Sequence, residues 1–294
     1  MSINIPNHFA QQFATNIEML LQQEDSRLSK GVTMGQYQGE QASPVDQVGA
    51  IEMQEVTTRF APMGRVDADV DRRWIVPKDF DLPQLIDSFD KLKTIIDPSS
   101  IYVRNAHAAA NRKKDSLIID AFFGAAKTGK SGSTSTSFPA GQQIAVNFGA
   151  SGNVGATVPK LREAKRLLMA ADVDLERDEL YAAVTAEQHD DLLAEAQIIS
   201  TDFNDRPVLV DGKVVRFLGI NFIHTELLGV DGSSYRRMPV WAKSGMHLGI
   251  WMDIQTSASI RNDLQGEPFQ AYVKMSMNAT RLEEEKVVEI KCAE

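Results

Sequence analysis

Apolar residues recur at helical spacing in some stretches of this chain and alternate in others, and that contrast outlines most of its elements. Phe9, Phe13, Ile17 and Leu20 follow Pro6 about one turn apart, so residues 7–24 are expected to form an amphipathic helix. Residues 31–49 are polar, carry four glycines and one proline, and read as a tether. From Ile51 to Phe60 the pattern alternates imperfectly, with Ile51, Met53 and Glu55 on one face. Ala61-Pro62-Met63-Gly64 then signals a turn, and Trp74-Ile75-Val76 starts a second extended run. Together these predict a long hairpin with a charged tip. A two-stranded ribbon is marginal alone, so another surface must cover it.

The most legible element follows. Asp97 is a good N-cap, Pro98 suits the first helical position, and Gly124 can end the helix. No glycine or proline interrupts Ser99 to Phe123, which gives a helix of about 25 residues and roughly 37 Å. Val103, Ala106, Ala110, Leu117 and Ala121 predict one narrow, alanine-rich stripe, interrupted by Lys114, which would have to snorkel. Such a helix suits bracing a flat layer better than filling a core.

Gly124 to Gly155 holds seven glycines and the run Ser131 to Ser137, and reads as a mobile loop region. Helical pattern returns after Pro159, with Leu161, Ala164, Leu168 and Ala171 on one face. Leu180 to Val184 reads as a strand, and Thr185 with Gln188 as a capping box before a helix carrying Leu192, Leu193 and Ala196. Pro207–Val210, Asp211-Gly212 and Val214–Leu218 predict a two-residue hairpin. Further strands are expected at Ile220–Thr225, Val240–Ala242, Phe269–Met277 and Val287–Lys291.

Composition narrows the function. With 294 residues the chain can build one large or two modest domains, and 43% hydrophobic with 24% charged residues is ordinary for a soluble globular protein. A formal charge of -9 argues against a nucleic-acid reader, although an acidic surface can line a container for DNA. Cys292 is the single cysteine, so no intrachain disulfide is possible and a reducing cytoplasm is the expected site of assembly. The first residues lack the pattern of a signal peptide, and no apolar run is long enough to span a membrane.

Candidate chemistry is sparse. Gly124-Ala125-Ala126-Lys127-Thr128-Gly129-Lys130-Ser131 spells a Walker A string. A phosphate loop needs a buried strand before it and a helix after it. Here a helical pattern precedes the string and Gly132 to Pro139 follows, so nucleotide binding is not expected. Asp67, Asp69 and Asp71 open like a calcium loop, but Arg72 and Lys78 stand where glycine and glutamate belong. The acidic run Asp172, Asp174, Glu176, Asp178 and Glu179 reads as a solvated turn. His8, His107, His189, His224 and His247 are scattered without metal-ligand spacing. No catalytic constellation, metal site or cofactor is expected.

The order of segments carries more than any motif. Trp74-Ile75-Val76-Pro77, Leu85-Ile86-Asp87 and Ile96-Asp97-Pro98-Ser99-Ser100-Ile101-Tyr102 resemble the major capsid proteins of tailed bacteriophages with the Hong Kong 97 fold, closely a podovirus-type branch. Ala121 through Gln143, with Lys127-Thr128-Gly129-Lys130, resembles the loop after that branch's long helix. Leu180-Tyr181-Ala182-Ala183-Val184-Thr185 followed by Leu192-Leu193 is similar to the strand and helix of its axial domain. Phe217-Leu218-Gly219-Ile220, Ala279-Thr280-Arg281 and Val287-Val288-Glu289-Ile290-Lys291-Cys292 are similar to its closing strands. The resemblance runs roughly from residue 10 to the end.

It implies an α+β subunit with an N-terminal arm (1–48) and an extended β-hairpin loop lying over a neighbour (49–83). A peripheral domain with the spine helix (84–144), an axial domain (145–240) and C-terminal strands returning to the peripheral domain (241–294) complete it. The implied function is a coat protein that assembles into pentamers and hexamers and encloses the genome, in the virion, after assembly in the bacterial host cytoplasm. Implied partners are copies of itself, a scaffolding protein (no long N-terminal extension replaces one), a portal protein, in some members a decoration protein, and double-stranded DNA bound without sequence specificity. No lysine and asparagine pair is placed for the covalent cross-link of some members. In the loop, Arg59, Arg65, Arg72 and Arg73 stand beside Asp67, Asp69 and Asp71. These are expected to pair across subunits, with Phe60 and Trp74 as apolar anchors. Two rival readings are a P-loop nucleotide-binding protein and an encapsulin-type nanocompartment shell of the same fold.

Overall fold

The computed structural model describes residues 21–53, 55, 64–86, 99–195, 198, 209–210 and 213–294. Most of the helix expected over residues 7–24 lies outside these residues, as do the turn from Ala61 to Met63, the Asp97-Pro98 helix start and the Asp211-Gly212 turn. Residues 21–24 are not helical, and residues 51–53 form no strand.

Strands appear where a tether is expected. β1 (Thr33–Gln36) runs parallel to a later strand, with Thr33 opposite His247 and Gln36 opposite Ile250. β2 (Ala42–Val48) pairs antiparallel with β3 (Val70–Ile75). β4 (Lys78–Ile86) precedes the long helix α1 (Ser99–Phe123), which has the 25 residues expected. β5 (Ala126–Thr128) and β6 (Thr134–Thr136) then form a hairpin inside the region expected to be a mobile loop. Pairing with distant strands organises these polar stretches, which have no apolar periodicity of their own.

The remainder follows the expected order, with β7 and β14 as additions that the sequence pattern does not predict. β7 (Gln143–Ile144) leads to α2 (Val158–Ala170), β8 (Leu180–Val184) and α3 (Ala186–Ala194), whose capping box between Thr185 and Gln188 is complete. β9 (Leu209–Val210) and β10 (Lys213–Val214) are the arms of the two-residue hairpin. β11 (Arg216–Phe217), β12 (Ile220–His224), β13 (Arg236–Ala242), β14 (Met246–Ile260), β15 (Phe269–Arg281) and β16 (Val287–Cys292) close the chain.

Two compact units result, and the chain passes between them after Asp25 and within β4, α1, β14 and β15. The smaller comprises Met1–Asp25, Phe80–Arg112 and Ile254–Met275. In it Asn111 donates to Glu24 O (2.9 Å), and Arg112 to Gln22 Oε1 (2.6 Å) and Gln23 O (3.0 Å). These bonds strap residues 22–24 along the polar side of α1.

The larger unit comprises Ser26–Asp79, Lys113–Asp253 and Ser276–Glu294. One core lies on a six-stranded sheet of order β11-β12-β8-β13-β16-β7, where Leu161, Ala164 and Leu168 of α2 and Leu192 of α3 are buried with Ala182, Val240 and Ile290. The last strand, β16, sits between β13 and β7 of this sheet. Lys160 is fully buried in this unit and donates to Val154 O (2.7 Å), Gly155 O (2.9 Å) and Lys291 O (2.8 Å).

The second core surrounds the end of α1. Ile118, Ile119 and Phe122 pack with Leu28, Val32, Trp241, Met246, Leu248 and Val287, and the Phe122 and Trp241 rings lie 4.5 Å apart. The narrow stripe expected of α1 is thus corrected. Asp115, Leu117, Ile118, Ile119 and Phe122 are all buried, because different elements cover several sides of the same turns. The buried Asp115 carboxylate accepts from Ser26 Oγ (2.6 Å), Arg27 N (2.9 Å) and Leu28 N (3.3 Å), capping the short 3-10 turn Leu28–Gly31.

Candidate subunit interface

The small sheet of order β2-β3-β5-β6 gathers most of the described residues singled out from the sequence. Residues directly opposite one another share a face. Val45 pairs with Arg73, Asp46 with Arg72, Gln47 with Asp71 and Val48 with Val70, while Arg73 and Trp74 lie opposite Thr128 and Lys127. One face therefore carries Val45, Gln47, Asp71, Arg73, Ile75 and Thr128. The other carries Asp46, Val48, Val70, Arg72, Trp74 and Lys127.

The first face is covered. Gln47 Nε2 donates to Leu282 O (2.7 Å), and Ile75 and Thr128 are buried. Arg73, also buried, donates to Gln47 Oε1 (3.2 Å) and to Glu284 Oε2 (2.5 Å). Glu284 Oε1 lies 3.6 Å from Arg281 Nη2. Arg281 is buried and gives Nη1 to the carbonyls of Phe122 (2.7 Å) and Gly124 (3.0 Å), so a cation meets the negative end of α1. Burial pulls the Arg281 guanidinium below its ordinary range, against the pull of Glu284. Glu284 thereby links the hairpin sheet to the end of the long helix through two arginines.

The second face is open. Val48 and Val70 are exposed, and Arg72 holds Asp46 by two bonds (2.5 and 2.8 Å) while its guanidinium lies 5.5 Å from the Trp74 ring centre. The hydrogen bond from Arg72 keeps the Asp46 carboxyl below its usual range. Trp74 Nε1 donates to Gly129 O (2.7 Å), and a Cβ at Gly132, whose φ is 70°, would stand 3.0 Å from the indole. The ring thus covers the tight β5–β6 turn and requires glycine there.

Within the chain these residues have the following partners. Arg72 and Arg73, expected to pair with a neighbouring subunit, are paired with Asp46 and Glu284 of the same chain. Arg65 is exposed and bonded to Asp67 (2.7 Å). The Asp71 carboxylate accepts from the backbone N–H of Arg72 (2.8 Å) and Gly129 (3.0 Å), and Asp69 accepts from Gly49 N (2.6 Å) through its backbone carbonyl only. Trp74 is half-buried within its own chain, and Arg59 and Phe60 lie outside the described residues. Arg281, Glu284 and Asp115 escaped the sequence reading, since no local pattern distinguishes a buried charge from an exposed one.

The Walker-like string has no phosphate-loop geometry. It runs from the end of α1 into β5 and an antiparallel hairpin, with no helix behind it whose N-terminus could face a phosphate. Among the described residues no group of three His, Cys, Asp or Glu side chains is placed to hold a metal ion, and no helix is long and apolar enough to cross a membrane.

Comparison with known proteins gives one consistent answer. No curated protein matches the sequence. Among solved structures, the capsid of cyanophage P-SCSP1u superposes with a TM-score of 0.76 at 14% identity, over 100% of this chain and 95% of that one. The capsid subunit of cyanophage Pam1 gives 0.72 at 12% identity (97% and 96% covered), and the mature capsid of bacteriophage PhiM1 gives 0.70 at 11% (97% and 92%). The shared fold is α+β, of the Hong Kong 97 type. A family model described as phage capsid protein matches residues 5–294, and by that match this chain belongs to the phage capsid proteins, the structural subunits of virion shells.

Proposed function

We propose that this chain is the major coat subunit that assembles as pentamers and hexamers into a closed icosahedral shell around double-stranded phage DNA. The observation that carries the reading is agreement along the whole length: the family match reaches from residue 5 to the C-terminus. Each subunit contact can be weak, because every subunit makes many and they act together. In this reading residues 49–83 form the extended loop over a neighbour, with its base in β2 and β3. Residues 84–144 form the peripheral domain, and 145–240 the axial domain at capsomer centres. Arg65, Asp67, Asp69 and Trp74, with Arg59 and Phe60, are the proposed contact residues. Arg72 and Arg73 shape the loop's base from within.

A scaffolding protein, a portal and, as an optional addition, a decoration protein complete the set of partners, with assembly in the host cytoplasm before DNA enters. Negative-stain electron microscopy of the purified full chain tests the reading. Closed particles, sheets or ring-shaped capsomers are expected, and a monodisperse monomer at high concentration overturns it. Nucleic acid within particles purified from infected cells separates a phage shell from a compartment that encloses enzymes.

A further inference from the structure

β2 and β6 stand on opposite edges of the hairpin sheet, three strand spacings or about 14 Å apart. Their charges are opposite. On the β2 side a groove of about 610 Å³ lies among Asp46, Asp69, Asp71, Arg73 and the run Glu283 to Glu285. Four of its six carboxylates are used within the chain: Asp46 by Arg72, Asp71 by two backbone N–H groups, Glu283 by Lys286 and Glu284 by Arg73. The other two, Asp69 and Glu285, are exposed and have no side-chain partner among the described residues. Arg73, only 5% exposed, lines the same groove, and its Nη1 has no acceptor among the described residues.

The β5–β6 hairpin carries the complement. Lys127 and Lys130 are exposed with no ion-pair partner among the described residues, and the turn between the strands adds the hydroxyls of Ser131 and Ser133. Two lysines on one side, unpaired among the described residues, match two such carboxylates on the other. The hairpin cannot turn back into its own groove, because its register with β3 and the bond from Trp74 to Gly129 hold it beyond β3.

The geometry points to a head-to-tail contact in which the β5–β6 hairpin of one copy seats in the β2-side acidic groove of the next. Lys127 and Lys130 then face Asp69 and Glu285, and exposed Val48 and Val70 supply apolar contact beside the ions. Because the two edges differ, the contact is heterologous, and repeated with a rotation that divides a full turn it closes a ring. The inference rests on the capsid reading and adds which surfaces meet.

The test uses the full chain and three variants: Lys127→Glu with Lys130→Glu, Asp69→Lys with Glu285→Lys, and all four changes together. Every altered side chain is exposed and without an ion pair among the described residues, so thermal melting is expected to stay at the wild-type value. In light scattering and negative stain each pair alone is expected to lose at least tenfold in assembled mass, and the fourfold charge swap to restore it. Normal assembly by either single pair, or no rescue by the swap, overturns the contact while the capsid reading stands. A wild-type chain that never assembles overturns both. A second measurement is independent of stability: Lys130→Cys protein mixed with Glu285→Cys protein is expected to form a disulfide-linked dimer on a non-reducing gel, well above either alone. Particles that form without that cross-link mean that something else fills the groove, and overturn the contact.

Discussion

Glu284→Gln tests the buried charge cluster with almost no change of shape. The carboxylate stands between Arg73 and Arg281, whose side chains are 6% and 0% exposed, and is itself 15% exposed. Neutralising it leaves two guanidinium groups in a dry site without a counter-charge. Breaking a buried pair in this way costs about 3–5 kcal/mol. The partial wetting of Glu284 favours the lower half of that range. At roughly 2–4 °C per kcal/mol for a large domain, the melting temperature should fall by about 6–15 °C. Calorimetry and urea titration of unassembled protein at pH 7 measure this. Arg73→Met, alone and combined with Glu284→Gln, completes a double-mutant cycle, and the arginine change should cost less once its partner is neutral. The exposed pair Asp46 and Arg72 is the control: Asp46→Asn should change stability little, and that little should vanish in high salt. A Glu284→Gln protein within about 0.5 kcal/mol of wild type, or one whose loss disappears in 1 M salt, refutes the assignment of Glu284 as the counter-charge of a buried cluster.

Other parts of the molecule give sharp expectations. Asp115→Ala strands the hydroxyl of Ser26 and the N–H groups of Arg27 and Leu28, and should cost about 2–4 kcal/mol by urea titration, with Asp115→Asn in between. Burial lowers the pKa of His247, which bonds Thr33 Oγ1 (2.9 Å) and the Tyr37 hydroxyl (2.9 Å), so the unfolded chain accepts a proton more readily than the folded one. Its contribution is therefore intact above the ordinary value of 6.5 and is lost as pH falls from there through the lowered folded value. Melting at pH 7.5 and 5.5 should show a smaller drop in His247→Gln than in wild type, and an equal drop excludes His247 as a source of the loss. Burial pushes the Cys292 thiol up to about 12, so a thiol reagent at pH 8 should label folded protein very slowly and unfolded protein once per chain. Nucleotide titrated into the wild-type chain should give no binding heat, because the Lys127 to Lys130 turn belongs to a hairpin.

Elements with strong local periodicity were legible from the residues alone. The uninterrupted run from Ser99 to Phe123, the capping box at Thr185 and the strand at Leu180–Val184 all stand where the pattern puts them. β14 was missed although Met246, Leu248, Ile250, Met252 and Ile254 alternate within it, because Gly249 and the polar residues after Ile254 obscure the run. β1, β2, β5 and β6 had no such signal, since their residues are mostly polar or small.

What the sequence by itself determined is the identity of the local units, because helical spacing, caps and turns depend on neighbours a few residues away. It also carried the family, through the order of segments rather than any single motif. The tertiary structure alone decided who pairs with whom. It turned a polar tether and a glycine-rich loop into the two sides of one sheet by bringing residues 42–48, 70–75 and 126–136 together. It also gave Arg72 and Arg73 partners within the chain, Asp46 and Glu284. A charge has no periodicity, and whether it faces water, a buried carboxylate or another subunit depends on segments as distant as Arg73 and Glu284. Only folding brings those together.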